Sequence, residues 1–378
     1  MYSVVDYGHM ASEGVRMDAY ARALAQVVRP GAVVLDIGAG TGIFSLLAAR
    51  AGARRVHAVD VNPAIWLLRD LAAENGLSNR IEVHQCSSMG LKLPEPVDVV
   101  VSDLRGSFPL HGTHLDCLHD ARARLLRPAG ALLPNRDGLQ VAVVESDAFR
   151  RQLERGWTCF ERLGWKAERA KEAVLNASYG DAESPVSANQ MLTDFAEWSE
   201  IVYGEPACAT FDGTVELTAC RRGTAHALVL WFRATIAEGI GYDNAPGQLG
   251  AYQRRLLPLA RPVETQAGDR FTVTVRASAR GDRWAWDTAV RTADGALADR
   301  MRQATFLGTP TSPEALRRHS ASFTPQLSEG GTRARAVLDA FDGQRTVEQI
   351  SGLVAERSSS TASRALDEVR ELVDRYSA

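Results

Sequence analysis

The sequence of 378 residues predicts an α/β domain with a parallel sheet, then an antiparallel β domain with a helical arm, and finally a small helical module. From residue 33 to about 145, continuous apolar runs alternate with amphipathic segments, which is typical of a parallel sheet covered on both faces. Polar and apolar residues then alternate between about 206 and 306, and helical periodicity returns after 313. We therefore expect domains at 1–145, 146–309 and 310–378, with the arm near 150–203.

Residues 1–30 are predicted to be helices that precede the first strand. The predicted parallel strands are AVVLDIG, RVHAVDV, RIEVHQ, VDVVVSDL and LQVAVVES. The segment RPAGALLPNRDG, before the last of these, is rich in Pro, Gly and Asn and is predicted to form turns. The predicted antiparallel strands are ATFDGTVELTAC, AHALVLWFRATI, RFTVTVRAS and RWAWDTAV.

Composition and charge exclude several classes of protein. The net charge of −3 gives no electrostatic reason to expect nucleic acid or a membrane as the main partner. The five cysteines are scattered without CxxC spacing, so we predict reduced thiols and no metal site. The chain has neither the pattern of a signal peptide nor an apolar run of about 20 residues, so we expect a cytoplasmic protein.

A glycine-rich turn after the first strand is the main functional signal. Gly38, Gly40 and Gly42 let a ligand approach the backbone where a helix begins. Asp60 ends the second strand about 20 residues later, where a carboxylate can accept ribose hydroxyls. Asp36, at the end of the first strand, suits an ammonium group and would repel a pyrophosphate. These features predict S-adenosylmethionine as the ligand, whereas a glycine turn without a ligand does not account for both acids.

Three segments resemble class I S-adenosylmethionine-dependent methyltransferases, and more narrowly the protein arginine methyltransferases, over roughly residues 2–306. They are VVLDIGAGTGIFSLLAARAGARRVHAVD, LPEPVDVVVSDLRG and LLRPAGALLPNRDGLQVAVVES. The resemblance implies a Rossmann-like domain, a β-barrel, and an arm that forms a homodimer. It also implies donor binding by Arg16, Met10 and Val61, and places Tyr7 and His9 in a segment that folds over donor and acceptor.

The predicted acceptor site departs from the pattern of that family. The first of the family's two glutamates corresponds to Asp103, and the second position falls at Gly112, with His111 and His114 nearby. Two carboxylates can hold a planar guanidinium, so the loss of one weakens that arrangement. The Thr-His-Trp loop of the family's barrel corresponds to a segment that contains Tyr252 and no histidine.

Arg105 adds a positive charge two residues after Asp103, which argues against ordinary protein arginine methylation. We expect N-methylation of an amine in a peptide or a specialised metabolite, with Asp103 holding the ammonium and His111 or His114 taking the proton. One alternative is O-methylation of a carboxylate or hydroxyl oriented by Arg105 or a histidine. Another is a non-catalytic scaffold. Alternatively, Arg105 forms a structural ion pair with Asp103 or Asp116, and the two histidines are solvated loop residues without a catalytic role.

The C-terminal module weakly resembles the small winged-helix domains that bind leader peptides. Its segment LDAFDGQRTVEQI contains a helix, an Asp-Gly turn, a Thr N-cap and a second helix. The resemblance implies a leader or precursor peptide as a partner, and the alternative is a helical cap on the barrel.

Overall fold

The computed structural model describes residues 2–106, 108–110, 112–206, 210–248, 250, 252–279, 282–358 and 361–376. The chain divides into two compact units, Met1–Thr309 and Pro310–Ala378. The larger unit contains one parallel and two antiparallel sheets, and the described part of the smaller unit is helical.

The first part of the larger unit is a parallel sheet. Its strands are β1 (Val33–Ile37), β2 (Arg55–Asp60), β3 (Ile81–Gln85), β4 (Val97–Ser102) and β5 (Leu126–Leu133). The spatial order is β3-β2-β1-β4-β5, so the direction of progression reverses between β1 and β4. In open α/β sheets, ligands bind at the carboxyl end of such a reversal. All five residues of β1 are buried, as expected for a strand covered on both faces.

Helices precede and flank this sheet. They are α1 (Val4–Ala11), α2 (Gly14–Val27), α3 (Ile43–Arg50), α4 (Leu67–Glu74) and α5 (Gly112–Arg124), with short 3-10 turns at Pro63–Trp66 and Ser88–Gly90. A capping box between Ser3 and Asp6 begins α1. Tyr20 of α2 is buried and stacks on Phe44 of α3, with ring centroids 4.4 Å apart. This stacking packs α2, the helix that carries Arg16, against α3.

The strand β5 corrects one sequence prediction. It lies in the segment that we predicted to form turns, and its first half does contain Pro128 and a left-handed Ala129 with φ of 61°. Beyond this irregular half, residues 131–133 pair in register with residues 99–101 of β4 and complete the sheet. Local composition therefore indicated a turn where pairing with β4 determines a strand.

The segment predicted as the last parallel strand belongs to the barrel instead. It forms β6 (Arg136–Val144), which pairs antiparallel with β10 (Gly223–Ala237). Eight of its nine residues are buried, a pattern that buried parallel strands and doubly covered barrel strands share. The barrel thus begins before the boundary predicted at residue 145.

Two antiparallel sheets form the rest of this unit. One contains, in spatial order, β7 (Tyr179–Gly180), β12 (Arg255–Thr265), β10, β6 and β8 (Ala196–Val202), with β11 (Ile240–Asp243) paired to β10. The other contains β15 (Leu297–Ala304), β14 (Trp284–Arg291), β13 (Arg270–Ser278) and β9 (Thr210–Thr218). Trp284 and Trp286 on β14 are buried and pack inside the barrel.

The predicted arm is helical only in its first half. It contains α6 (Asp147–Arg162) and α7 (Glu168–Val174), followed by β7, a 3-10 turn at Ala188–Gln190, and β8. Between the two helices, Leu163 and Trp165 are 70% and 67% exposed, so large apolar side chains face solvent there. A short helix, α8 (Thr305–Gly308), follows the last barrel strand.

The smaller unit contains α9 (Pro313–Arg318), α10 (Glu329–Leu338), α11 (Val347–Ser358) and α12 (Ala362–Tyr376). Val337, Ile350 and Val369 form the buried centre of the last three helices. Its described residues, 310–358 and 361–376, include no strand, so only the helical part of the winged-helix prediction is present there. The leader-peptide role stays a prediction.

No helix among the described residues combines the length and apolar character needed to cross a bilayer. The cytoplasmic location stays a prediction. Cys86, Cys117, Cys159 and Cys220 carry free thiols, and Cys208 lies outside the described residues.

Candidate active site

The site lies where β1 and β4 end side by side. The register pairs Asp36 with Val101 and Ile37 with Ser102, so both strands end at the same edge of the sheet. The glycine-rich turn follows β1 directly, and Asp103 follows β4. The reversal in strand order therefore brings the predicted donor and acceptor residues together.

Asp60 fixes the glycine-rich turn against the end of β2. Its Oδ2 accepts a hydrogen bond from the Gly40 N–H at 2.8 Å, and its Oδ1 accepts one from the Asn62 N–H at 2.8 Å. Each carboxylate oxygen has a second lone pair, so ribose hydroxyls can still be accepted. Val61, between these residues, is exposed at the same strand end.

Two predicted glycines lie under side chains from other segments. A Cβ atom on Gly38 would lie 2.2 Å from Leu104, and one on Gly40 would lie 2.3 Å from the ring of Tyr7. Both glycines have positive φ, so larger residues would also strain the backbone. Tyr7 of α1 thus covers the turn, and its predicted role in folding over donor and acceptor stays a prediction. Gly42 packs against the apolar side of α4, and its role in donor binding stays a prediction.

Asp36 is the most unusual acid in the donor half of the site. It is fully buried, and its Oδ2 accepts a hydrogen bond from the Ser45 hydroxyl at 2.7 Å. Its Oδ1 has no hydrogen-bond partner among the described residues. Burial raises the pKa of Asp36 to about 7. A buried carboxylate oxygen that accepts no hydrogen bond suits the ammonium group of S-adenosylmethionine, the ligand predicted from the sequence.

Asp103 is enclosed by cationic and phenolic donors. Arg16 Nη1 donates to its Oδ2 at 2.5 Å, while Arg105 Nη1 and the Tyr252 hydroxyl donate to its Oδ1 at 2.6 and 2.5 Å. Burial by itself would raise the pKa of Asp103, but the guanidinium groups of Arg105 and Arg16 outweigh it and lower the pKa below its usual range. Asp103 is therefore an ionised, internally paired carboxylate.

Arg105 belongs to the interior of the protein. It is fully buried, and its Nε and Nη2 donate to the two oxygens of Asp137 at 2.6 and 2.9 Å. Its Nη1 also donates to the Tyr20 hydroxyl at 2.8 Å, and the Tyr203 hydroxyl donates to Asp137 at 2.6 Å. These contacts favour the predicted alternative of a structural ion pair over a catalytic role.

Arg16 connects this ion network to a neighbouring cleft. Its Nε donates to Glu13 at 2.7 Å, and its Nη2 donates to the carbonyl oxygen of Met10. Both of these residues line a cleft of about 700 Å³, which is also lined by Gly106, Gly250 and Gln253. His9, predicted at the acceptor site, also lines it.

The two predicted histidines of the acceptor loop have different outcomes. His111 lies outside the described residues. His114 is buried in α5, with its ring centroid 5.1 Å from that of Tyr203, and does not line the cleft. Its burial rules out the alternative of a solvated loop residue, and its catalytic role stays a prediction.

Sequence reasoning missed several members of the network. Glu13 stands three residues before Arg16 on the helical segment, a spacing that predicts an ion pair and was available in the sequence. No such signal in the sequence pointed to Asp137, Tyr20 or Tyr203. Their hydrogen-bond partners are between 32 and 85 residues away along the chain.

Comparisons with known proteins identify methyltransferases as relatives. A model of the ribosomal protein L11 methyltransferase family (PrmA) matches residues 20–105. Protein arginine N-methyltransferase 1 of Schizosaccharomyces pombe is 32% identical over 201 residues, which are 53% of this chain and 58% of that protein. Arginine N(omega)-methyltransferase of Streptomyces achromogenes subsp. streptozoticus is 29% identical over 270 residues, 70% of this chain and 73% of that protein. The chain thus spans a little over half the length of the first of these relatives.

Solved structures give the fold. Protein arginine methyltransferase 10 of Arabidopsis thaliana superposes with a TM-score of 0.71 at 21% identity, over 80% of this chain and 97% of that chain. The chain has the fold of the protein arginine methyltransferases. A Trypanosoma brucei PRMT1 enzyme-prozyme heterotetramer with AdoHcy superposes with a TM-score of 0.67 at 22% identity, over 79% and 97% of the two chains. The predicted resemblance to the protein arginine methyltransferases and the predicted fold class are confirmed.

The buried Asp36 generates a testable pH dependence. Only its ionised form attracts an ammonium group, so we expect affinity for S-adenosylhomocysteine to rise about tenfold between pH 6 and pH 8, across the pKa of about 7. Isothermal titration calorimetry at the two pH values measures this. Asp36→Asn should bind weakly with little pH dependence, and the exposed control Asp70→Asn should behave as the wild type. Tighter wild-type binding at pH 6 than at pH 8 would contradict the assignment.

Proposed function

We propose that this chain is an S-adenosylmethionine-dependent N-methyltransferase whose acceptor is an amine nitrogen of a peptide or a small metabolite. The supporting observation is an asymmetry between the two halves of the site. The donor half retains the acids and the glycine turn that suit the donor, whereas Asp103, the predicted acceptor carboxylate, is already bound to two guanidinium groups.

The residues that would hold the donor are Asp36 for its ammonium, Asp60 for its ribose and Arg16 for its carboxylate. When bound, S-adenosylmethionine supplies a methyl group on a positively charged sulfur. The protein contributes the position of the acceptor nitrogen relative to that methyl group, which is the main source of rate in such a transfer.

The hydrogen bonds of Asp103 favour an amine over a guanidinium. A guanidinium binds a carboxylate best through two parallel N–H groups, one to each oxygen. Oδ1 of Asp103 already accepts from Arg105 and Tyr252, whereas Oδ2 accepts only from Arg16 among the described residues. A compact ammonium needs a single oxygen. Asp103 therefore suits an amine that approaches from the side of Oδ2.

The cleft beside Arg16 has the charge to attract such an acceptor. Asp6 and Glu13 line it and carry negative charge, and His9 stands between them on α1. An imidazole nitrogen can accept a proton from a group bound in the same cleft. We assign His9 the role of removing the proton that an ammonium must lose before its nitrogen attacks.

The relatives' names favour a second candidate. The two curated relatives described above are named as arginine methyltransferases, so a guanidino nitrogen is the alternative acceptor. If the donor's carboxylate draws Arg16 away from Asp103, Oδ2 gains a second free lone pair, which also helps a guanidinium. O-methylation has less support, because the enclosed Arg105 has no access to orient a carboxylate.

The acceptor class is tested with labelled S-adenosylmethionine and separate pools of primary amines, L-arginine, arginine-containing peptides and carboxylic acids. We expect alkali-stable label in the amine pool. Label only in the arginine pools would establish the guanidino alternative, and label released by alkali as methanol would establish an ester. No transfer to any pool, together with no donor binding, would leave only the scaffold hypothesis.

The role of Asp103 is tested in the same assay. We expect Asp103→Asn to lower kcat/KM for the acceptor by about 10- to 100-fold, the size of a lost charged hydrogen bond. Its affinity for the donor should change much less. Asp18→Asn, an exposed acid on α2, is the matched control. Equal losses in turnover and donor affinity would instead place Asp103 in the donor pocket.

We also propose that the arm formed by α6 and α7 makes a homodimer. Phe160, Leu163 and Trp165 expose large apolar surfaces at the end of α6, and such clustered exposure is typical of an interaction site. The Trypanosoma brucei neighbour is itself a heterotetramer.

The dimer proposal predicts the effect of a charge in the arm. Leu163→Arg should convert a dimer into a monomer in sedimentation equilibrium, because a guanidinium in an apolar interface loses its hydration. Arg151→Ala on an exposed face of α6 should remain dimeric. A wild-type chain that is monomeric at high micromolar concentration would refute the proposal.

A further inference from the structure

A cluster of three potential metal ligands lies at the edge of the parallel sheet, outside the site described above. His57 is on β2, and Glu82 and His84 are on the edge strand β3. The parallel register places Glu82 opposite His57, and His84 two residues further along the same strand. Side chains alternate between the faces of a sheet, so all three project from the same face.

The distances between the ligand atoms match those around a small metal ion. His57 Nδ1 lies 3.1 Å from His84 Nε2, and the two Glu82 oxygens lie 3.6 Å from His57 Nδ1 and 3.7 Å from His84 Nε2. A tetrahedral ion with bonds of about 2.0–2.1 Å separates neighbouring ligand atoms by about 3.3–3.4 Å. The three groups therefore need to move only by tenths of an ångström to share one ion.

The surroundings of the cluster suit a cation with one position left for solvent. His57 is only 3% exposed, and burial favours the neutral imidazole that binds metals. His84 is partly buried and the Glu82 side chain is 48% exposed, so the cluster opens outward on one side. Arg55 lies 3.8 Å from Glu82, while Glu95 adds negative potential at His57. Glu95 is itself paired with Arg54 at 2.5 Å, so these two acids and two arginines balance in charge.

Within the described residues, the candidate active site makes no use of these side chains. His57 places an imidazole in a strand whose neighbours Val56, Ala58 and Val59 are all buried apolar residues. Its visible partner is the second imidazole, and that pairing satisfies only one nitrogen of each ring. A shared metal would satisfy both facing nitrogens and the carboxylate together.

We propose that His57, Glu82 and His84 bind one divalent transition metal ion, of which Zn²⁺ is the typical example. Two imidazoles and a carboxylate favour such an ion over Mg²⁺ or Ca²⁺, which prefer oxygen ligands. The ion would tie the edge strand to β2. Because the ligands come from two strands, they converge only in the folded sheet, so metal binding stabilises the fold.

The proposal is tested on the full chain, freed of any affinity tag and treated with a chelator. Calorimetric titration with ZnCl₂ should show one ion per chain, and Co²⁺ should give the absorption spectrum of a tetrahedral site. Saturating Zn²⁺ should raise the midpoint of thermal unfolding. No stoichiometric binding by the wild type would overturn the proposal.

Substitutions at the more exposed ligands locate the site without risking the core. His84→Gln and Glu82→Gln should each weaken Zn²⁺ binding by at least about tenfold, since even the loss of a supporting contact has effects of that size. His319→Gln, an exposed histidine of the smaller unit, and Cys86→Ser, the thiol two residues after His84, should bind as the wild type. Unchanged affinity in His84→Gln, or lost affinity in Cys86→Ser, would overturn the assignment.

Discussion

The buried ion pair between Arg105 and Asp137 is the contact on which the rest of the candidate active site depends. It joins the end of β4 to the first barrel strand, with both side chains fully enclosed. Removing one partner of a buried ion pair typically costs about 3–5 kcal/mol, because the other charge is left without compensation. The remaining hydrogen bonds, from Tyr203 to Asp137 and from Arg105 to Tyr20, complete the shell around the pair.

This pair also determines what Asp103 can do. Arg105 uses one nitrogen to hold Asp103 Oδ1, and Tyr252 from the barrel holds the same oxygen. The other oxygen accepts a hydrogen bond from Arg16. Arg16 also contacts residues that line the cleft, and it is predicted to bind the carboxylate of the donor. The arginines and the tyrosine around Asp103 therefore leave few of its lone pairs free for an acceptor. This supports the proposal of an acceptor with a single cationic nitrogen.

The donor half of the site was predictable because its signals are local. Asp36 and the glycines fall within seven residues, and Asp60 ends the next strand, so strand order and turn chemistry were enough. The acceptor half was only partly predictable. The position of Asp103 came from the family resemblance, and its pairing with Arg105, two residues away, was one of the predicted alternatives. Its other partners, Arg16 and Tyr252, are 87 and 149 residues away along the chain.

The errors in the fold have a similar physical origin. Pro128 and Gly130 gave β5 the composition of a turn, and the apolar run of β6 did not reveal which sheet it joins. Pairing across a sheet decided both. The same holds for the histidine cluster, since His57 and His84 are 27 residues apart and meet only through the register of β2 and β3.

A double-mutant cycle between Arg105 and Asp137 tests the central claim most directly. Arg105→Met, Asp137→Leu and the double variant are compared with the wild type by urea unfolding of the full chain. We predict that each single substitution lowers the free energy of unfolding by about 3–5 kcal/mol, and that the double variant loses much less than the sum, because no unpaired charge remains. Additive losses would show that the two side chains do not act as a pair and would contradict the account.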